Sequence, residues 1–196
     1  MSSNLFINAK GFASIRIDLI SIPKQIPGAT RSAVNRTLNF TVTRIAKEVT
    51  NEYTVAKKDV NATLTKHKAS GSSFYAWIDS KGSSISLGKF KHKPAKYSKR
   101  IKRVQVRIKK SGGYKVIHTS PSAFVQTIYG SSSDIYRRKD KRRMPVKKLR
   151  TISIPQMIAN PQIINNIEDA AAQKLQERIE HEIEWRLNKA AERSGK

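Results

Sequence analysis

Apolar positions divide this 196-residue chain into three regions of different texture. Ile15, Leu19 and Ile22 recur at helical spacing and stop at Pro23. Pro27 predicts the first turn of a second helix, because its fixed φ suits a position whose N–H has no intrahelical partner. Val34, Leu38, Val42, Ile45, Val49 and Tyr53 form one stripe along that helix. Thr54 is read as the N-cap of a short third helix through Leu64, its hydroxyl accepting an orphan backbone N–H. Residues 1–68 are therefore expected to be mostly helical.

Residues 70–154 read as strands and turns. Phe74 to Ile78 is aromatic-rich, and Lys81-Gly82 marks a turn before a strand at Ser84 to Leu87. Val104, Val106 and Ile108 alternate with Gln105, Arg107 and Lys109, the pattern of a half-buried strand with charge on one face. Ser111-Gly112-Gly113 predicts a hairpin turn, and Tyr114 to His118 the returning strand. Ala123 to Ile128 and Leu149 to Ile154 are further strands, separated by the polar run Gly130 to Ser133. Pro155 closes this region.

Pro161 opens a long helix to about Ala191, in which every fourth residue is apolar: Ile163, Ile167, Ala171, Leu175, Ile179, Ile183, Leu187 and Ala191. A strict four-residue repeat drifts by roughly 40° per step against 3.6 residues per turn, so the stripe winds and one flat surface cannot cover both ends. Ile163 to Leu175 are expected on the chain's own sheet, and Ile179, Ile183 and Leu187 against another subunit or a nearby helix. The whole reads as one α+β domain, 1–196. It comprises N-terminal helices (1–68), a central antiparallel sheet (70–154, with a Lys/Arg-rich loop 89–103) and a long C-terminal helix (155–196) packed on that sheet.

Charge sharpens the picture. The formal net charge is +25, from 39 Lys and Arg against 14 Asp and Glu. Lys89 to Lys110 holds eleven basic residues and no acid, and Arg137 to Arg150 holds nine, opposed only by Asp140. No acid falls between Asp79 and Asp134, whereas half of all the acids lie from Glu168 to Glu192. Such a chain repels its own copies unless an opposite charge is near, so nucleic acid, an acidic protein ring or an anionic membrane are the candidate partners. Apolar residues are 38%, which makes a core thin for the length, and part of the stability is expected from assembly.

Composition excludes several classes. The absence of cysteine rules out disulfides, thiolate zinc sites and cysteine nucleophiles. No stretch approaches the ~20 apolar residues of a membrane helix. Met1 to Asn8 has no basic region followed by a long apolar run, so no secretory signal and a reducing compartment are expected. The Asn-x-Thr triplets at Asn35, Asn39 and Asn61 are then chance matches.

No catalytic constellation emerges. Five residues rather than four separate Gly82 from Gly88, and Phe90 stands where a phosphate loop needs Ser or Thr. His67, His92, His118 and His181 share no metal-ligand spacing. Glu180 and Glu184, one turn apart amid Arg178, Arg186 and Lys189, read as a solvated salt-bridged face. There is no Gly-x-Ser-x-Gly elbow. Neither an enzyme nor a cofactor is expected. The basic runs admit three readings: phosphate contact, with Lys99, Arg100, Lys102 and Arg103 as candidate DNA contacts; a loop that orders on a protein partner; or a solvated face.

An ordered set of short patterns runs across nearly the whole chain. Pro27-Gly28-Ala29 opens a helix, followed by Ala33 and Asn35-Arg36; then come Ala123-Phe124-Val125-Gln126, Arg137-Arg138 with Lys139 to Arg143, Met144-Pro145-Val146, and Ile154-Pro155 before the terminal helix. Together they resemble the phage minor tail protein Z family, the tail completion proteins. That resemblance implies a structural virion protein, assembled in the host cytoplasm and located in the tail or neck. It would form a ring, of six copies, at the head-proximal end of the tail. Its partners would be itself, the tail terminator or tail tube, connector or neck proteins and the phage DNA end, with no membrane. Arg137, Arg138, Arg142 and Arg143 would be partner contacts. Pro27, Gly28, Asn35, Arg36, Phe124, Pro145 and Pro155 would be structural. The alternative is a basic DNA- or RNA-binding protein of ribosomal or nucleoid type.

Overall fold

A computed structural model describes residues 3–7 (backbone only), 26–71, 73–98, 100–101, 103–128 and 133–194. The expected helix carrying Ile15, Leu19 and Ile22 lies outside them. In chain order the elements are β1 (Ser3–Ile7), α1 (Ile26–Glu52), α2 (Lys57–Asn61), β2 (Leu64–His67) and β3 (Ala76–Ser80), then a 3₁₀ turn (Leu87–Lys89), β4 (Lys91–Lys93), β5 (Gln105–Arg107) and β6 (Lys115–Val116). They continue with β7 (Phe124–Gln126), β8 (Asp134–Arg138), β9 (Val146–Lys148), α3 (Ile154–Ile158) and α4 (Pro161–Ser194). The class is α+β, as the sequence predicts.

Two details differ from expectation. Instead of one central sheet there are three small antiparallel ones, ordered β1-β3-β2, β4-β5-β6 and β7-β8-β9. The long helix α4 packs chiefly along α1 rather than on a sheet, touching β1 only lightly. The reason is visible in α1: Ala33, Val34, Leu38, Ile45 and Val49 are all nearly fully buried, and they offer α4 a longer apolar track than any strand here. Ile163, Ile167, Ala171, Leu175 and Ile179 of α4 answer them from the facing side.

The two helices run antiparallel. Arg186 reaches the start of α1, where a Cβ on Gly28 would lie 2.9 Å from its Nη1, and its Nη2 donates to Ser32 Oγ at 3.4 Å. Arg36 pairs with Glu182 at 2.9 Å, and the Lys174 ammonium lies 5.8 Å over the Phe40 ring. At the other end Asn160 donates to Tyr53 Oη. The close of α1 also receives the end of β5: Lys110 N–H donates to the Glu52 carbonyl and Thr54 N–H to that of Ile108.

Thr54 is not an N-cap. Its hydroxyl donates to the Arg107 carbonyl and accepts the Lys91 N–H, tying α1 to the second sheet, and α2 starts after Ala56 without a side-chain cap. Two expected strands, Ser84 to Leu87 and Leu149 to Ile154, run alongside each other but form only the single bridge Ser86 to Arg150. Their ends are taken by other structures: Leu87 enters the 3₁₀ turn, and Ser153 caps α3 in a reciprocal capping box with Gln156. Pro155 sits in the first turn of α3.

Glu182 is 4% exposed, whereas the Arg36 side chain is largely in solvent. Arg36→Met would leave a buried carboxylate without its ion partner, and is expected to cost about 1–3 kcal/mol. Replacing both residues with Met should recover most of that loss, because an apolar pair of similar shape needs no compensation. Urea unfolding of the two single variants and the double variant gives the coupling; a coupling near zero would show that the pair does not hold the helices.

Candidate functional site

The two basic runs fall on the second and third sheets. In the second sheet Lys91 stands opposite Arg107, and in the third Arg137 stands opposite Lys147. Like charges directly across a strand pair are destabilising. Both runs therefore carry repulsion that an anionic partner would relieve. On the second sheet the Lys93 ammonium lies 4.6 Å over the Tyr114 ring, and the connection to β5 exposes Lys96, Tyr97, Arg100, Ile101 and Arg103. Arg100 and Arg103 are thus accessible, as a contact would require; Lys99 and Lys102 lie outside the described residues.

On the third sheet Arg137 and Arg138 belong to β8 itself, and Arg142 and Arg143 are exposed in the turn before β9. The Arg138 guanidinium lies 5.9 Å from the Phe124 ring, so it is partly held. Lys139 N–H donates to the Pro145 carbonyl at 3.0 Å and closes the turn, and Pro145 leads into β9. Phe124 is half-buried, tilted against Tyr136, and the buried residue of β7 is Val125.

Asp134 fixes this sheet to the rest of the molecule. Its Oδ1 accepts from the Ser86 hydroxyl, from Gly88 N–H at 3.1 Å and from Ile135 N–H at 2.8 Å, while Oδ2 pairs with Lys148 at 2.9 Å. A Cβ on Gly88 would lie 2.8 Å from the Asp134 Cα, so only glycine fits there. Burial opposes the charged carboxylate, but the donors from Ser86, Lys148 and Ile135 outweigh it and hold the carboxyl below its usual range. The same hydrogen bond raises the Lys148 ammonium.

The helix residues with expected roles divide. Pro27 is exposed at the start of α1 and Gly28 faces Arg186. Asn35 clamps the backbone of one residue from both sides: Nδ2 donates to the Ala69 carbonyl at 3.0 Å, and Oδ1 accepts Ala69 N–H at 2.9 Å. Arg36 finds the Glu182 carboxylate. Of the residues expected against another subunit or a nearby helix, Ile179 is buried in the chain's own core and Ile183 is half-buried against it. Leu187 is 37% exposed and Trp185, which the stripe did not include, is 49% exposed. α1 covers α4 as far as Arg186, and Leu187 falls outside the covered face.

One further feature lies outside every sequence expectation. A depression of about 490 Å³ opens between the start of β5 and the segment after β6, with Arg103, His118, Ser120 and Ser122 on its rim. Among the described residues no three His, Asp or Glu side chains gather as a metal site, and no helix is long and apolar enough to cross a membrane.

An acid-poor basic surface is mounted on an α+β frame of paired helices and small sheets. The model of the prophage minor tail protein Z family matches residues 9–193, and the chain belongs to that family. It is therefore a phage tail protein. No curated protein and no solved structure matches it.

Because the folded Asp134 carboxyl titrates below its ordinary value, it adds stability above about pH 4 that is lost as pH falls through the lower folded value. Asp134→Asn is expected to be less stable than the parent at neutral pH. It should also lose less stability between about pH 5 and pH 2, read as thermal midpoints across that range. Parallel acid limbs for the two proteins would show that Asp134 carries no such linkage.

Proposed function

We propose that the chain is a non-enzymatic structural protein that forms a ring of six copies at the head-proximal end of the tail. There it completes the tail and supports head–tail joining and the passage of DNA. The observation that carries this reading is the placement of charge in a minor tail protein. Two sheets hold Lys and Arg opposite one another with no acid between Asp79 and Asp134, while exposed Glu180 and Glu184 lie on α4. Such a surface suits acidic neighbours and DNA, the partners that a head–tail joint provides. The tail terminator or tail tube and the connector or neck proteins are the protein neighbours in this reading, with no membrane. The chain assembles in the host cytoplasm and resides in the virion.

The Lys93–Tyr114 contact, with Tyr97 exposed beside it, favours a second reading: a DNA- or RNA-binding protein of nucleoid type. Tight, sequence-selective binding by the isolated chain would select that second reading; weak, salt-sensitive and sequence-independent binding would fit the first.

Arg142 and Arg143 are exposed, so Arg142→Glu with Arg143→Glu should leave the chain folded, since exposed charges contribute at most about 1 kcal/mol. Phage carrying the double variant should form particles defective in head–tail joining or in delivering DNA. Normal infectivity would sink the role of this turn.

Trp185→Glu with Leu187→Asp should abolish the ring while retaining a folded monomer, because both side chains are exposed in the single chain. Sizing by light scattering and the far-ultraviolet spectrum distinguish these outcomes. A ring that persists would place the self-contact elsewhere.

A further inference from the structure

The depression beside β5 has donors without acceptors. Arg103, His118, Ser120 and Ser122 line it, and none of these side chains has a hydrogen-bond or ion-pair partner among the described residues. No carboxylate lines it. Its floor is apolar, made by Val104, Val116, Ile117 and Ala123. Val104 and Ala123 are buried, and Ile117 N–H donates to the Val104 carbonyl at 2.9 Å, which holds the two walls together. The Thr119 hydroxyl donates to the Pro121 carbonyl at 2.9 Å and folds the segment back, so the two serines reach the same opening.

We infer that this depression binds a nucleotide unit of a DNA strand, with the phosphodiester at Arg103, His118, Ser120 and Ser122 and the sugar against the apolar floor. A planar guanidinium presents paired donors that match phosphate oxygens, and hydroxyls add neutral donors to the same anion. A free phosphate ion would use only the rim and leave the floor to water. The volume of about 490 Å³ is also that of a small-ligand site, which typically runs from roughly 300 to 1,000 Å³. The site deepens the proposal that this chain meets DNA at the head–tail joint, and it rests on that proposal.

The test uses the isolated full chain and a short fluorescent single-stranded oligonucleotide, followed by anisotropy. A chain of net charge +25 attracts any DNA, so a charge-matched control is needed. Ser122→Glu places a carboxylate in the depression; Ser111→Glu makes the same change of charge in the exposed hairpin turn beyond β5. Ser122→Glu should weaken binding by roughly tenfold, and Ser111→Glu by less than about twofold. Ser120→Ala, which adds no charge and removes one donor, should weaken it by about threefold. Thermal midpoints matching the parent establish that each variant is folded. Equal losses from the two Glu variants, or no loss from Ser120→Ala, would overturn the site. Displacement of the oligonucleotide by inorganic phosphate at equal concentration would identify a free-phosphate site and overturn the strand assignment. Failure here leaves the tail role standing, because that role is read from infectivity of the Arg142 and Arg143 variant.

Discussion

Helices α1 and α4 meet antiparallel from Gly28 against Arg186 to Tyr53 against Asn160, and nearly every other element is hung between them in sequence. Three small sheets of short strands could not bury a core by themselves; two-residue and three-residue strands expose too much of their backbone. The helix pair supplies the continuous apolar seam. Thr54 and the close of α1 then hold the second sheet, and Asn35 holds the Ala69 peptide that leads from β2 towards β3. Contacts this distant in sequence close slowly, so the fold depends on a pairing that forms only after most of the chain is in place.

Within that frame, scarce acids act as fasteners. Glu52 takes Lys109, Asp59 takes Lys89, Asp134 takes Lys148 and Glu182 takes Arg36. Three of these join segments far apart in the chain, and the Asp134–Lys148 pair ties neighbouring strands of the third sheet. In the turn through Arg142 and Arg143, where Asp140 is the one acid, the basic side chains face solvent. The fold therefore separates charges that hold the molecule together from charges left for a partner.

The helices were legible in the sequence because their apolar stripes are long and their ends are marked by Pro27, Pro155 and Pro161. The hairpin after β5 was legible from Gly112-Gly113, where Gly113 adopts a φ of 65°. Asn35 and Arg36 were singled out by the resemblance alone, and the partners they meet, the Ala69 backbone and the Glu182 carboxylate, come from distant parts of the chain. The division into three sheets was not legible, because alternation identifies a strand and says nothing of its neighbour. Thr54 shows a different limit. Its hydroxyl could satisfy an orphan N–H nearby or a carbonyl 53 residues away, and only the tertiary fold decides between them. The depression at Arg103 was illegible for the same reason, since its walls are joined by a hydrogen bond between Ile117 and Val104.

Charge placement also limits how copies could meet. The exposed acids Glu180 and Glu184 lie on α4, and the exposed bases Arg142 and Arg143 lie in the β8–β9 turn. In a two-fold symmetric contact the pairing is reciprocal, so the acidic helix of each copy would meet the basic sheet of the other and the contact would close at two copies. A head-to-tail contact can instead set the acidic helix of one copy against a basic sheet of the next. Contacts of that kind continue from copy to copy, and they close into a ring where the rotation allows. Glu180 and Glu184 are few against the basic excess, so a ring joined in this way would still present net positive charge. That remainder, repeated by the symmetry of the proposed ring, is what would draw DNA and acidic tail proteins to it.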